Sequence, residues 1–131
     1  MYSLAFQVRD YECDMQGIVN NAVYQHYFEH TRHEFLKQHT CHFAELTQAG
    51  IHLVIYRAEI DYLLPLTSGD LFTVELLLER VSKTRCLFKQ TIHCNGKTYT
   101  KGQFFVTAIN AAKRPINLDV IEINALLLNK V

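Results

Sequence analysis

Charge of neither sign is in excess. The 131 residues carry 13 Lys plus Arg against 13 Asp plus Glu, so nothing in the bulk electrostatics draws the chain to nucleic acid or to an anionic membrane. No apolar run approaches the roughly 20 residues that a helical membrane span needs. The first residues, Met1 to Arg9, lack a basic segment followed by an apolar one. No secretory signal is therefore expected, and a soluble cytoplasmic protein is. Cys13, Cys41, Cys86 and Cys94 contain no CxxC pair; free thiols in a reducing compartment are expected. No repeat, linker or low-complexity segment divides the chain, which reads as one domain over residues 1–131. With 49 % hydrophobic residues it has enough apolar side chains for a core without staples, and disorder is not expected.

What is present falls into a simple order. Leu4 to Arg9 alternates as a short strand. An irregular loop, Asp10 to Asn21, follows. From Ala22 to Leu36 the period is helical: Tyr24, Tyr27, Phe28, Thr31 and Phe35 share one face, with His26, Glu29, His30, His33 and Lys37 on the other. Such an aromatic stripe is core before it is anything else. Cys41 to Gln48 predicts a further short helix, ended by Gly50. Strand patterns then run over Ile51–Leu64, Leu71–Ser82, Arg85–Cys94 and Lys97–Ala111, the last two joined by the hairpin signal Asn95-Gly96. After Lys113-Arg114-Pro115, a weakly patterned helix is expected over Asn117–Asn129, with Asn117 as its cap. One long helix and four consecutive strands predict an α+β fold, an antiparallel sheet against the helix. Leu76-Leu77-Leu78 and Phe104-Phe105-Val106 are apolar on both sides of their strands, which points to association through the sheet.

Chemistry concentrates in Asp10-Tyr11-Glu12-Cys13-Asp14-Met15-Gln16-Gly17-Ile18-Val19-Asn20-Asn21. Asp14 lies on a loop, Gly17 permits a tight turn, and Asn20 and Asn21 can open a helix. A carboxylate is thus set near unpaired backbone N–H groups. Those N–H groups could polarise a carbonyl while the carboxylate attacks it or activates water. Spacing alone favours a plainer role for Asp14, as a cap or loop acceptor.

The stretch from Val8 to Asn21, with Tyr24, Tyr27-Phe28-Glu29 and Arg32 after it, resembles the 4-hydroxybenzoyl-CoA thioesterase family of hotdog-fold proteins. Ala58-Glu59-Ile60-Asp61-Tyr62-Leu63-Leu64-Pro65 with Gly69-Asp70 is similar to the family's second motif, and Arg114-Pro115 to a weaker third. The resemblance spans nearly the whole chain. It implies a hotdog fold, with a curved antiparallel sheet of about five strands wrapped around the long helix. It also implies homodimers, often paired into homotetramers, and hydrolysis of acyl thioesters of coenzyme A or acyl carrier protein, with no cofactor and no metal. On this resemblance Asp14 is the catalytic carboxylate, the Asn21 N–H binds the thioester carbonyl, and Gly17 makes the turn between them. Asn20, Tyr24 and Tyr27 border the substrate, and Lys83, Arg85 and Arg114 are candidates to meet the phosphates of coenzyme A. Many relatives carry His or an aromatic residue where Asn20 and Asn21 stand, so a histidine helper does not carry over.

Other chemistries are weaker. His26, His30 and His33 have metal-ligand spacing on a helix, but no HExxH arrangement accompanies them, and an exposed face or subunit contact is the plainer reading. Cys13 has no activating base beside it. A hotdog dehydratase or hydratase would carry its acid/base pair on the central helix, which this motif does not resemble. A non-catalytic acyl-thioester-binding module would not need the intact Asp14, Gly17 and Val19 motif. Release of free coenzyme A separates the three.

Overall fold

The computed structural model describes residues 1–38 and 43–121. The element order is β1 (Tyr2–Gln7), a 3-10 turn (Asp10–Glu12), α1 (Asn21–Gln38), α2 (Phe43–Gln48), β2 (His52–Tyr62), β3 (Leu71–Arg80), β4 (Arg85–Cys94), β5 (Lys97–Ile109) and a second 3-10 turn (Leu118–Ile121). The strands form one antiparallel sheet in the order β1-β3-β4-β5-β2. With α1 packed on one face, this is the expected hotdog arrangement.

The core follows from two periodicities meeting. Inward positions of β3 (Phe72, Val74, Leu76, Leu78) alternate with half-buried outward ones. Phe88 and Ile92 of β4 and Phe104, Val106 and Ala108 of β5 continue that inner surface. The helical stripe closes on it: Tyr27 packs on Phe72 at 4.8 Å between ring centres, Phe28 on Phe104 at 5.1 Å, and Phe35 edge-on to Phe88 at 6.4 Å. Phe28 is fully buried, and such burial is worth about 1.5–3 kcal/mol for a side chain of this kind. Gly102 is required by this packing, because a Cβ there would lie 2.6 Å from the Phe104 ring.

The Asn95-Gly96 signal is fulfilled by a two-residue turn between Cys94 and Lys97. The apolar runs behave differently from a simple two-sided surface. Leu77 and Phe105 face away from α1 and are half-buried there, and Leu87 beside them is 7 % exposed. Leu87 stands opposite Phe105 in the sheet, and the Tyr56 ring lies 6.0 Å from that of Phe105. The first strand lies two residues earlier than the alternation suggested. Val8 already donates to the Asp70 carbonyl outside the ladder, and Arg9 precedes the 3-10 turn. Where a C-terminal helix is expected from Asn117, Leu118–Ile121 form a 3-10 turn, and the Asn117 side chain accepts the Asp119 N–H at 2.9 Å; the rest of that expected span, and the expected helix start at Cys41, lie outside the described residues. Cys13, Cys86 and Cys94 are free thiols.

Among the described residues β2 is an edge strand, paired only through β5. The register aligns its Ile55, Ala58, Ile60 and Tyr62 with inward-facing residues of β5. Ile60 packs against the core, but its neighbours on that side are less covered: Ile55 is 45 % exposed, Tyr62 47 %, and Ala58 is exposed. The inner side of β2 is therefore only partly covered by the helix.

Candidate active site

The Asp14 loop is a small hairpin. Cys13 bridges to Val19, the Asp14 N–H donates to the Ile18 carbonyl at 2.8 Å, and the Gly17 N–H donates back to the Asp14 carbonyl at 3.0 Å. Gly17 has φ +83°, in the left-handed region that a side chain disfavours. The hairpin is fastened to the β2–β3 connection by the Ile18–Thr67 bridge and by Val19 N–H to the Leu66 carbonyl at 2.9 Å.

The two carboxylate oxygens of Asp14 are used differently. Oδ1 accepts the Gln16 N–H at 2.9 Å and the Ile18 N–H at 3.4 Å. Oδ2 has no partner among the described residues, and the side chain is exposed. The plain role and the chemical one thus coexist: one oxygen orients the carboxylate, and the other is open.

Asn20 caps α1. Its side chain accepts the Ala22 N–H at 3.0 Å, and its carbonyl accepts the Val23 N–H at 2.9 Å. The Asn21 N–H is left without an acceptor among the described residues. It sits at the positive end of an 18-residue helix, where an oxygen bearing partial negative charge is favoured.

Tyr24 and Tyr27 are core residues, 3 % and 4 % exposed. The Tyr24 hydroxyl accepts the Leu66 N–H at 3.0 Å, and the Tyr27 hydroxyl donates to Glu12 Oε1 at 2.8 Å. Burial raises both phenol pKa values, and for Tyr27 the bond to Glu12 adds to the rise. Tyr62 instead stands at the site: its ring is 5.2 Å from that of Tyr24 and its hydroxyl reaches the Asn21 carbonyl at 3.4 Å. Its place as the last residue of a strand, just before the motif proline, was the available signal.

Lys83, Arg85 and Arg114 are not brought to Asp14 within one chain. β3 begins beside the Asp14 loop and ends at Arg80, about 30 Å away at strand rise. Arg85 pairs with Thr107 and holds its guanidinium 4.6 Å from the centre of the Tyr56 ring. Arg114 lies in the turn closed by the Ile109–Pro115 bridge.

Burial and the carboxylates of Asp10, Asp14 and Glu12 push the Cys13 thiol up, which disfavours the thiolate a nucleophile needs. Among the described residues no group of three or more His, Cys, Asp or Glu converges to hold a metal. His33 is half-buried against Arg32 and Leu36 rather than on an open face, because it adjoins Arg32 at the margin of the buried stripe. Among the described residues no helix is long and apolar enough to cross a membrane.

The model of the Thioesterase-like superfamily matches residues 8–127, and the chain belongs to that family. It is 40 % identical over 91 residues to the acyl-acyl carrier protein thioesterase ATL2, chloroplastic, of Arabidopsis thaliana, covering 70 % of this chain and 48 % of that protein. The chain thus spans about half the length of the first such relatives. It is 30 % identical to the acyl-CoA thioesterase YbgC of Haemophilus influenzae over 83 % of this chain and 82 % of that one. The fold superposes on a 1,4-dihydroxy-2-naphthoyl-CoA thioesterase from Synechocystis with TM-score 0.89, at 18 % identity, covering 95 % of this chain and 94 % of the other.

Proposed function

We propose that this chain hydrolyses acyl thioesters, with the acyl group carried on coenzyme A or acyl carrier protein. One observation carries the reading: an open carboxylate oxygen on Asp14, in the loop that leads into the N-terminus of α1, where the Asn21 N–H has no acceptor among the described residues. A thioester carbonyl accepting that N–H gains a donor for the oxyanion that develops as the carbon is attacked. Asp14 either attacks the carbonyl carbon or takes a proton from the attacking water. In both routes the carbon–sulfur bond breaks, water supplies the oxygen of the new carboxylic acid, and the thiolate leaves and is protonated. The family membership and the thioesterase names of two relatives support the same chemistry.

The reading includes a homodimer joined along β2. Among the described residues that strand is unpaired on its outer edge, and it exposes Ile55, Tyr56 and Tyr62 at 45, 42 and 47 %, a template for pairing with a second copy. Antiparallel pairing of two copies sets the start of one β2 beside the end of the other. The Asp14 end of one chain then adjoins Lys83, Arg85 and Arg114 of the partner subunit, which suits a phosphate-bearing thioester.

Thiol release from a panel of aliphatic and aromatic acyl-CoAs tests the activity. Asp14→Asn is expected to lower kcat by about a hundredfold or more with the circular dichroism spectrum unchanged. Undiminished turnover in that variant would sink the assignment.

A further inference from the structure

Arg32 is a charged side chain that folding removes from water, to 7 % exposure. No carboxylate lies within ion-pair distance of it among the described residues. Its Nη1 donates to Gln90 Oε1 at 3.0 Å, and its guanidinium carbon sits 4.4 Å from the centre of the Phe104 ring. Gln90 is itself fixed by donating to the Phe28 carbonyl at 3.0 Å. A guanidinium offers five N–H donors, and the others find no acceptor among the described residues. A buried cation without an ion-pair partner is costly. Burial accordingly pulls its pKa down to about 10, although Glu29 on the same helix opposes the change.

The guanidinium borders a cavity of about 280 Å³, walled by Leu36, Leu53, Phe88 and Val106 with Glu29 and His33 alongside. Ile55 of β2 also lines it. Farther along the same side of β2, Ala58 and Tyr62 are exposed, and the Tyr62 hydroxyl reaches the Asn21 carbonyl at 3.4 Å. Arg32 lies eleven residues beyond Asn21 on α1, about 16 Å at helical rise, and helical side chains lean back toward the N-terminus. An acyl chain whose carbonyl sits at the Asn21 N–H can therefore run along α1 beside β2 and bring its far end to the guanidinium. Apolar walls suit its methylenes, and a planar fork of N–H donors suits a carboxylate in two-point contact.

We propose that Arg32 determines specificity by receiving a carboxylate at the far end of the acyl group, so that the preferred substrates are half-thioesters of medium-chain dicarboxylic acids. This rests on the thioester-hydrolase reading above.

The test compares decanedioyl mono-CoA with decanoyl-CoA by thiol release, in the wild type, Arg32→Met and Arg32→Lys. The wild type is expected to favour the carboxylated substrate in kcat/KM by about tenfold or more. Arg32→Met should abolish that ratio and Arg32→Lys should retain part of it. In parallel, free decanedioate should raise the wild-type Tm more than decanoate does, a difference lost in Arg32→Met. A wild type that hydrolyses both substrates equally, or a ratio unchanged by Arg32→Met, overturns the proposal while leaving the hydrolase reading in place. If neither thioester is cleaved but decanedioate still raises Tm through Arg32, the carboxylate site stands and the hydrolase reading falls.

Discussion

The hydroxyl of Tyr24 accepts the backbone N–H of Leu66 at 3.0 Å, while the Leu66 carbonyl accepts the Val19 N–H at 2.9 Å. Leu66, fully buried, is thus held from both sides and ties the Asp14 hairpin to the first turns of α1. Tyr24→Phe keeps the ring and its packing but leaves a buried N–H without a partner. We expect a loss of about 1–3 kcal/mol in urea unfolding. Thiol release should fall as well, because the strut positions the hairpin that carries Asp14. Unchanged stability would mean that the bond contributes nothing net.

Stability should decline in alkali for an identifiable reason. Burial pushes the Cys86 thiol up from 9.0 to about 12, and raises the phenols of Tyr24 and Tyr27 above 10.0. Each group is neutral when protonated, and the unfolded chain releases its proton at a lower pH than the folded one. These groups' contribution is therefore complete below about pH 9 and is lost as pH rises beyond it. The urea midpoint measured from pH 7 to pH 11 should be level at first and then fall. Cys86→Ala should make the early part of the fall shallower without removing it, because burial raises the Cys13 and Cys94 thiols as well. A midpoint level through pH 11 would contradict the burial of these groups.

Local rules made much of this legible. Tyr24, Tyr27, Phe28, Thr31 and Phe35 repeat at helical spacing and all are buried; the Asn95-Gly96 turn marked the end of β4 and the start of β5 because a two-residue hairpin pairs the residues on either side of it, although the register shifts between Ile92 and His93. Arg32 escaped notice as a buried group although it stands four residues after Phe28, on the same side of the helix. A hydropathy reading scores a cation as solvated whatever its angle. The roles of Asp14 Oδ1 and Oδ2 depend on a turn geometry that residue types permit but do not dictate. The distance from Asp14 to Lys83, Arg85 and Arg114 arises from the length of β3 and its pairing, which no short motif encodes.

The edge of β2 is where the oligomer reading can fail. Leu63, 52 % exposed, lies just beyond a strand with no partner on its outer side among the described residues. Light scattering on a sizing column should place the wild type at the mass of at least two chains. Placing a lysine on a sheet edge blocks pairing by charge and by hydration, so Leu63→Lys should shift the protein to the mass of one chain. If the partner's Lys83, Arg85 and Arg114 help to hold a coenzyme A thioester, the same variant should raise KM for acyl-CoA strongly. Added salt should weaken wild-type binding of acyl-CoA as well, because the attraction is between exposed charges. A wild type that runs as one chain and turns over fully would rule out the shared site. It would also leave Asp14 to work with groups from its own chain alone.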